Sequence, residues 1–185
     1  MSAIAPLQGN ALRNYGKIRQ AARTEFARDP YASVLSIARV AGVGASCVYR
    51  HFPVPEDMVL DVYREDVEEI GDAISRMLTR DPANTFRAWG QELAVLMSRH
   101  PRLGAICEAP SARTAANETY LALVGITRGI LELASRRNHL SEKLSAEDVL
   151  MLLSATWGLE SGDKRKEEEA SVLQVIVELV FDVSA

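Results

Sequence analysis

Cysteine is scarce in this chain: Cys47 and Cys107 are the only two, beside three histidines, His51, His100 and His139. Their spacing fits no zinc or dithiol signature and is too sparse for a disulfide framework. No metal ligand is therefore expected, and a reducing, cytoplasmic setting is. Long apolar runs are also missing. The most apolar stretch, 172–183, is broken by Gln174, Glu178 and Asp182, which would be costly at a bilayer centre, so no membrane anchor is expected. The first residues lack a basic start followed by a continuous apolar stretch, and a signal peptide is not expected. The chain has no glycine-rich phosphate loop, no His-Glu-x-x-His, no Cys-x-x-Cys and no Gly-x-Ser-x-Gly elbow. An enzyme is disfavoured accordingly, with no catalytic residue and no cofactor nominated. Two-residue alternation, repeats and low-complexity tracts are absent as well, which argues against a sheet or a solenoid.

What is there is an ordinary soluble composition, 48% hydrophobic and 25% charged over 185 residues, enough for one large domain or a small domain joined to a larger one. The net charge of −4 conceals an asymmetry. Residues 1–52 carry seven Lys and Arg (Arg13, Lys17, Arg19, Arg23, Arg28, Arg39, Arg50) against Glu25 and Asp29, a balance of +5, while the remainder holds −9. A basic end on an acidic body suits a protein that presents one end to phosphates.

Apolar spacing then divides the chain into helices. A flexible arm is expected over 1–12, followed by a helix through Ile18, Ala22 and Phe26 that stops at Asp29-Pro30. Ser33 can cap a short helix burying Val34, Ile37, Ala38 and Ala41, and Gly42 can end it with a positive φ. A third helix is expected over 44–52. Pro55 suits the first turn of a fourth, running to about 79 through Val59, Val62, Ile70, Ile74 and Met77. Asp81-Pro82 starts a fifth with Phe86, Trp89, Leu93, Leu96 and His100 on one face. A short segment between Pro101 and Pro110 carries Leu103, Ile106 and Cys107. Ser111 opens a long helix ending near 136–138. Ser145 and Asp148 resemble a capping box for a helix over 145–161. After a charged loop, 161–169, comes a last helix, 170–183, apolar on nearly every side and so in need of cover on more than one face.

The functional signal lies at Ile37-Ala38-x-x-Ala41-Gly42-Val43 followed by Tyr49-x-His51-Phe52. Helix, tight turn and helix is the order of a helix-turn-helix, in which the second helix enters the major groove. These eight positions within sixteen residues, with Ala21-Ala22 and Phe26 ahead of them, resemble the TetR family of transcriptional regulators over about 13–64. The remainder resembles it in helical layout only. The resemblance implies an all-α protein with a DNA-binding domain at 13–54 and a larger effector-binding and dimerisation domain at 55–185. It implies that Ser33 and Tyr49 contact phosphates of double-stranded DNA and that Gly44, Ala45, Ser46, Cys47, Arg50 and His51 lie at or near the bases. Small side chains permit close approach there, and Arg50 can reach guanine or phosphate.

It further implies a homodimer through the last two helices and a pocket for an unknown small apolar effector. Bulky candidates for that pocket are Trp89, Leu93, Leu96, Met97, Leu103, Ile106, Cys107, Tyr120, Val124, Met151 and Trp157. The expected function is a ligand-responsive regulator, by default a repressor released from a palindromic operator. The sequence departs from the family at Gly44, Ala45, Ser46 and Cys47, and at Pro55 where lysine is frequent. Those departures motivate the alternative, a helical ligand- or protein-interaction module that keeps the fold without sequence-specific DNA binding.

Overall fold

The computed structural model describes residues 5–77, 81–108, 118–136, 144–157 and 165–181. They form α1 (Ala5–Arg28), α2 (Val34–Ala41), α3 (Ala45–His51), α4 (Pro55–Ser75), α5 (Pro82–Arg99), α6 (Pro101–Glu108), α7 (Glu118–Arg136), α8 (Ala146–Ser154) and α9 (Arg165–Val180). The fold is all-α. The chain divides into two compact units, Met1–Tyr63 and Arg64–Ala185, so the first unit reaches past the expected boundary at 54 to take in the start of α4.

In the first unit α1 buries Ile18, Ala21, Ala22 and Phe26, the face its spacing predicts. It starts at Ala5 rather than Arg13, so the expected arm is helical from residue 5 onward. Pro6 belongs in a first turn, where its missing N–H costs nothing, and Ala, Leu and Gln around Gly9 are good helix formers. Ser33 caps α2, its Oγ accepting from the Ser36 N–H at 3.1 Å. Gly42 ends that helix with φ at 67°, a left-handed conformation glycine adopts without steric cost. The Gly42 N–H reaches the Arg39 carbonyl at 3.2 Å and the Val43 N–H the Ala38 carbonyl at 3.0 Å. Ile37, Ala38, Ala41, Val48 and Phe52 complete the small core with Val59 and Val62 of α4.

The start of α4 is fastened to α1 by polar groups. Tyr15 Oη donates to the Asp61 carboxylate, 2.7 Å from either oxygen. Arg19 Nε lies 3.5 Å from Asp61 Oδ2, and Arg23 Nη1 donates to the Val62 carbonyl at 3.0 Å.

In the second unit α5 is central, packing against α6, α7, α8 and α9. Phe86, Trp89 and Leu93 are fully enclosed. Trp89 Nε1 donates to Thr127 Oγ1 at 2.9 Å, and that hydroxyl donates to the Leu123 carbonyl at 2.9 Å. At Gly90 a Cβ would meet Leu173 Cδ2 at 2.5 Å and Leu153 Cδ2 at 3.1 Å, so a larger residue here would have to push the ends of those two leucines of α8 and α9 aside. Phe86 meets Phe181 edge-on, with ring centroids 5.2 Å apart. Asp81 caps α5, and Ser145 with Asp148 forms the expected capping box on α8.

Besides the start of α1, three boundaries differ from the sequence reading, the first being that α8 ends at Ser154 with Ala155 as its C-cap, short of the expected 161. α4 ends at Ser75, leaving Met77 exposed in the following turn. α9 starts at Arg165 rather than 170, because the run Arg165 to Glu169 is made of good helix formers and places Glu167 and Glu168 in the first turn, where the helix dipole favours negative charge. The helix start expected at Ser111, the stop at 137–138 and the helix end expected at 183 lie outside the described residues.

Candidate nucleic-acid interface and ligand region

The α2–turn–α3 segment has one inward and one outward side. Inward, Val48 is fully buried and Cys47 is 8% exposed, with Asn14 Nδ2 of α1 at 3.7 Å from Cys47 Sγ. This corrects the expectation for Cys47: its sulfur faces α1 rather than the surface of α3, because it falls next to Val48 on the side that packs. Outward lie Gly44, Ser46, Tyr49 and Arg50, all exposed, with Ala45 and His51 half-buried. Tyr49 exposes half of its surface, too much for a core aromatic. Ser33 is exposed at the start of α2, where its oxygen is engaged as the cap and its hydrogen can still be donated.

The α3 segment is held from behind. Tyr15 stacks on Phe52 with centroids 5.8 Å apart and lies 6.1 Å from the His51 ring. Asn14, Tyr15 and Asp61 are supporting residues that the sequence reading missed. Their polarity gave no periodic signal, and Asp61 is one of several acidic residues along α4. Beside them, Arg13, Lys17, Arg39 and Arg50 are exposed cations and give this unit the positive surface a polyanion requires. A cleft of about 440 Å³ between α1 and α2 is lined by Gly16, Lys17, Gln20, Ala21, Thr24, Val40 and Ala41.

In the second unit the expected pocket residues separate. Trp89, Leu93, Leu96, Met97, Leu103, Tyr120, Val124 and Trp157 are buried, and Ile106 and Cys107 are half-buried. Met151 is 50% exposed and is corrected from pocket to surface, since the buried side of α8 carries Ala146, Val149, Leu150 and Leu153. Burial, and secondarily the Glu108 carboxylate, push the Cys107 thiol up to about 12, so it is a neutral group at physiological pH. A cleft of about 400 Å³ between α4 and α7, lined by Glu68, Gly71, Asp72, Ser75, Ala122, Gly125, Ile126 and Gly129, includes none of the expected residues. Its glycines and acids lack the bulky apolar character the sequence reading sought. No helix among the described residues is long and apolar enough to cross a membrane.

No protein-family model matches the sequence, and a search of curated proteins finds no match. Solved structures do match. The chain is similar to Thermus thermophilus FadR, a TetR-family transcriptional repressor solved with lauroyl-CoA, at 20% identity and a TM-score of 0.67, covering 92% of this chain and 96% of that one. It is similar to RolR solved with resorcinol, at 19% identity and a TM-score of 0.68, covering 93% and 89%. A TetR transcriptional regulator from Streptomyces coelicolor matches at 20% identity with a TM-score of 0.57, covering 91% and 99%. The match spans both units of the chain, and what this protein shares with them is the all-helical fold of the TetR-type transcriptional regulators.

Proposed function

We propose that this protein is a TetR-family regulator that binds a palindromic DNA operator as a homodimer and is released from it by a small apolar effector. The observation that carries the reading is the outward side of α3: Ser46, Tyr49 and Arg50 are exposed together on a helix whose other side is buried and braced by Tyr15 and Asn14. Small residues at the start of that helix allow the backbone to approach the groove, Arg50 reaches base edge or phosphate, and Ser33 and Tyr49 serve as phosphate donors.

Pairing of two protomers is supported by exposed apolar side chains on the last two helices. Met151, Val175 and Leu179 are 50%, 65% and 44% exposed, and two-fold pairing there suits two half-sites. The ligands of similar regulators, lauroyl-CoA and resorcinol, support an effector that is apolar in part and enclosed by the second unit. Its binding shifts the population of protomer arrangements, acting through α4, toward one whose recognition helices no longer match the half-site spacing.

The test is a titration of the purified protein onto labelled DNA from upstream of its own gene, beside scrambled DNA, at several salt concentrations. Specific binding by two protomers per site, weakening steeply with salt, is expected. Equal weak binding to both DNAs would instead favour a module that keeps this fold without reading sequence.

A further inference from the structure

No acidic residue precedes Glu25 in the chain, whereas Arg13, Lys17, Arg19 and Arg23 do. Two of these cations are engaged within the first unit: Arg19 Nε lies 3.5 Å from Asp61 Oδ2, and Arg23 Nη1 donates to the Val62 carbonyl. Arg13 and Lys17 are exposed and have no ion-pair partner among the described residues. With Gly16 and Gln20, also exposed, they follow the spacing i, i+3, i+4 and i+7 and so share one side of α1. Glycine weakens a helix interior relative to alanine. A Cβ at Gly16 would meet nothing within 4 Å, so no packing inside the protein requires glycine there, and it leaves the helix backbone bare beside the two cations.

The same helix runs past α3. Asn14 Nδ2 lies 3.7 Å from Cys47 Sγ, which places the crossing of α1 at the first turn of α3, the end that a helix-turn-helix directs into the groove. From that crossing α1 continues back to Ala5, about 14 Å of further helix at 1.5 Å per residue. Residues 9–13 are all exposed, Leu12 by 73%, so no face of this stretch packs on the first unit. A helix without a packed face draws no stability from tertiary contacts. What such an extension can serve is a partner outside the chain.

We infer that α1 carries a second DNA contact: its exposed side at Arg13, Gly16, Lys17 and Gln20 lies along backbone phosphates that flank the base pairs met by α3. The inference rests on the reading of the first unit as DNA-binding and extends it beyond the α2–turn–α3 segment. Charge selects the occupant. Two cations and an amide donor stand on this side, and neither α1 before Glu25 nor the neighbouring α2 supplies a carboxylate. Gly16 lets the strand approach the helix with no side chain between. Contacts of this kind add affinity and salt dependence without preferring a base.

The full-length protein and the double variant Arg13→Gln with Lys17→Gln are titrated onto DNA from upstream of its own gene and onto scrambled DNA. Each duplex is used with long and with trimmed flanks, at several salt concentrations. The double variant is expected to melt as the parent does, since both side chains are exposed. On long duplexes it is expected to bind about tenfold more weakly at about 0.1 M salt, with the slope of log affinity against log salt reduced by about 2 per protomer. Trimming the flanks is expected to weaken the parent and leave the double variant unmoved. The charge-keeping pair Arg13→Lys with Lys17→Arg is expected to recover parental binding, which a role in shape alone would not give. A double glutamine variant with parental affinity and salt dependence overturns the inference while operator binding stands, and so does an equal loss on trimming for parent and variant. If the parent binds both DNAs alike, the operator-binding reading fails, and the α1 contact is still decided by the salt slopes of parent and variant on either duplex. A midpoint lowered in both double variants assigns these side chains to folding and overturns the contact.

Discussion

Tyr15 and Asp61, one on α1 and the other on α4, are joined by a hydroxyl–carboxylate hydrogen bond of 2.7 Å. The same Tyr15 ring stacks on Phe52 at the end of α3. One side chain therefore ties the long first helix, the recognition segment and the start of the fourth helix together. Tyr15→Phe keeps the ring and loses the charge-assisted hydrogen bond. A cost of about 1 to 2 kcal/mol is expected, at the lower end for hydrogen bonds to charged groups because the site is only part-buried. Urea unfolding reads this directly, and DNA affinity should fall with it as α3 loosens.

Gly42 holds the turn at φ 67°. An added Cβ meets nothing within 4 Å, so the penalty of Gly42→Ala is conformational rather than a clash, about 1 to 2 kcal/mol for an L-residue held left-handed. The expected outcome is a folded protein with a lower unfolding midpoint and weakened operator binding, measured by thermal melts and DNA titration in parallel.

Arg50 is exposed and has no ion-pair partner among the described residues, so truncating it disturbs no internal contact. Arg50→Ala should leave the melting temperature unchanged and cost about 1 to 3 kcal/mol in specific DNA binding if it reads a base edge. If it contacts phosphate alone, operator and scrambled DNA weaken together and the salt dependence becomes shallower. A variant that binds both DNAs as the parent does would remove Arg50 from the interface.

The Cys107 thiol, pushed from 9.0 to about 12 chiefly by burial and then by Glu108, has a consequence at high pH. Below pH 9 the thiol is neutral in both folded and unfolded chains, and its contribution to stability is fully present. Above pH 9 the unfolded chain releases its proton while the folded one keeps it, so stability falls as pH rises towards 12. Cys107→Ala should flatten the alkaline limb of a plot of unfolding free energy against pH. In the native protein at pH 8, alkylation of this thiol should be slow until denaturant is added.

How much of this was legible beforehand depends on whether a residue's role is local. Ser33, Gly42, Asp81 and the Ser145–Asp148 pair act within one turn of chain, and the caps appear where their residue types require. The order of helix, turn and helix was legible for the same reason, whereas which side chains of α3 face outward came from the family resemblance. Asn14 and Asp61 act across 33 and 46 residues of sequence separation, and no spacing rule pairs them in advance. Cys47 was misplaced because a small residue at the start of a recognition helix fits either side. Met151 was misplaced because an apolar residue on α8 looks the same whether it faces a pocket or a partner. Helical order from Ala5 and from Arg165 was hidden by proline, glycine and charge, residues that read as loop until their place in the first turns is known.

The outer side of α9 decides between core and interface in the same way. Leu173, Ile176, Val177 and Val180 are buried within the unit, whereas Val175 and Leu179, one helical turn apart, remain exposed. These two exposed apolar residues on one side of the helix support the proposed pairing of two protomers. Val175→Glu with Leu179→Glu should therefore leave helicity and melting of the isolated protomer close to the parent, because both side chains are exposed. Sedimentation should shift the protein from dimer to monomer, and operator affinity should collapse to that of a single half-site, although every residue of α3 is untouched. A double variant that stays dimeric would move the two-fold interface off α9. One that becomes monomeric yet binds the operator as tightly as the parent would show that pairing is dispensable for recognition.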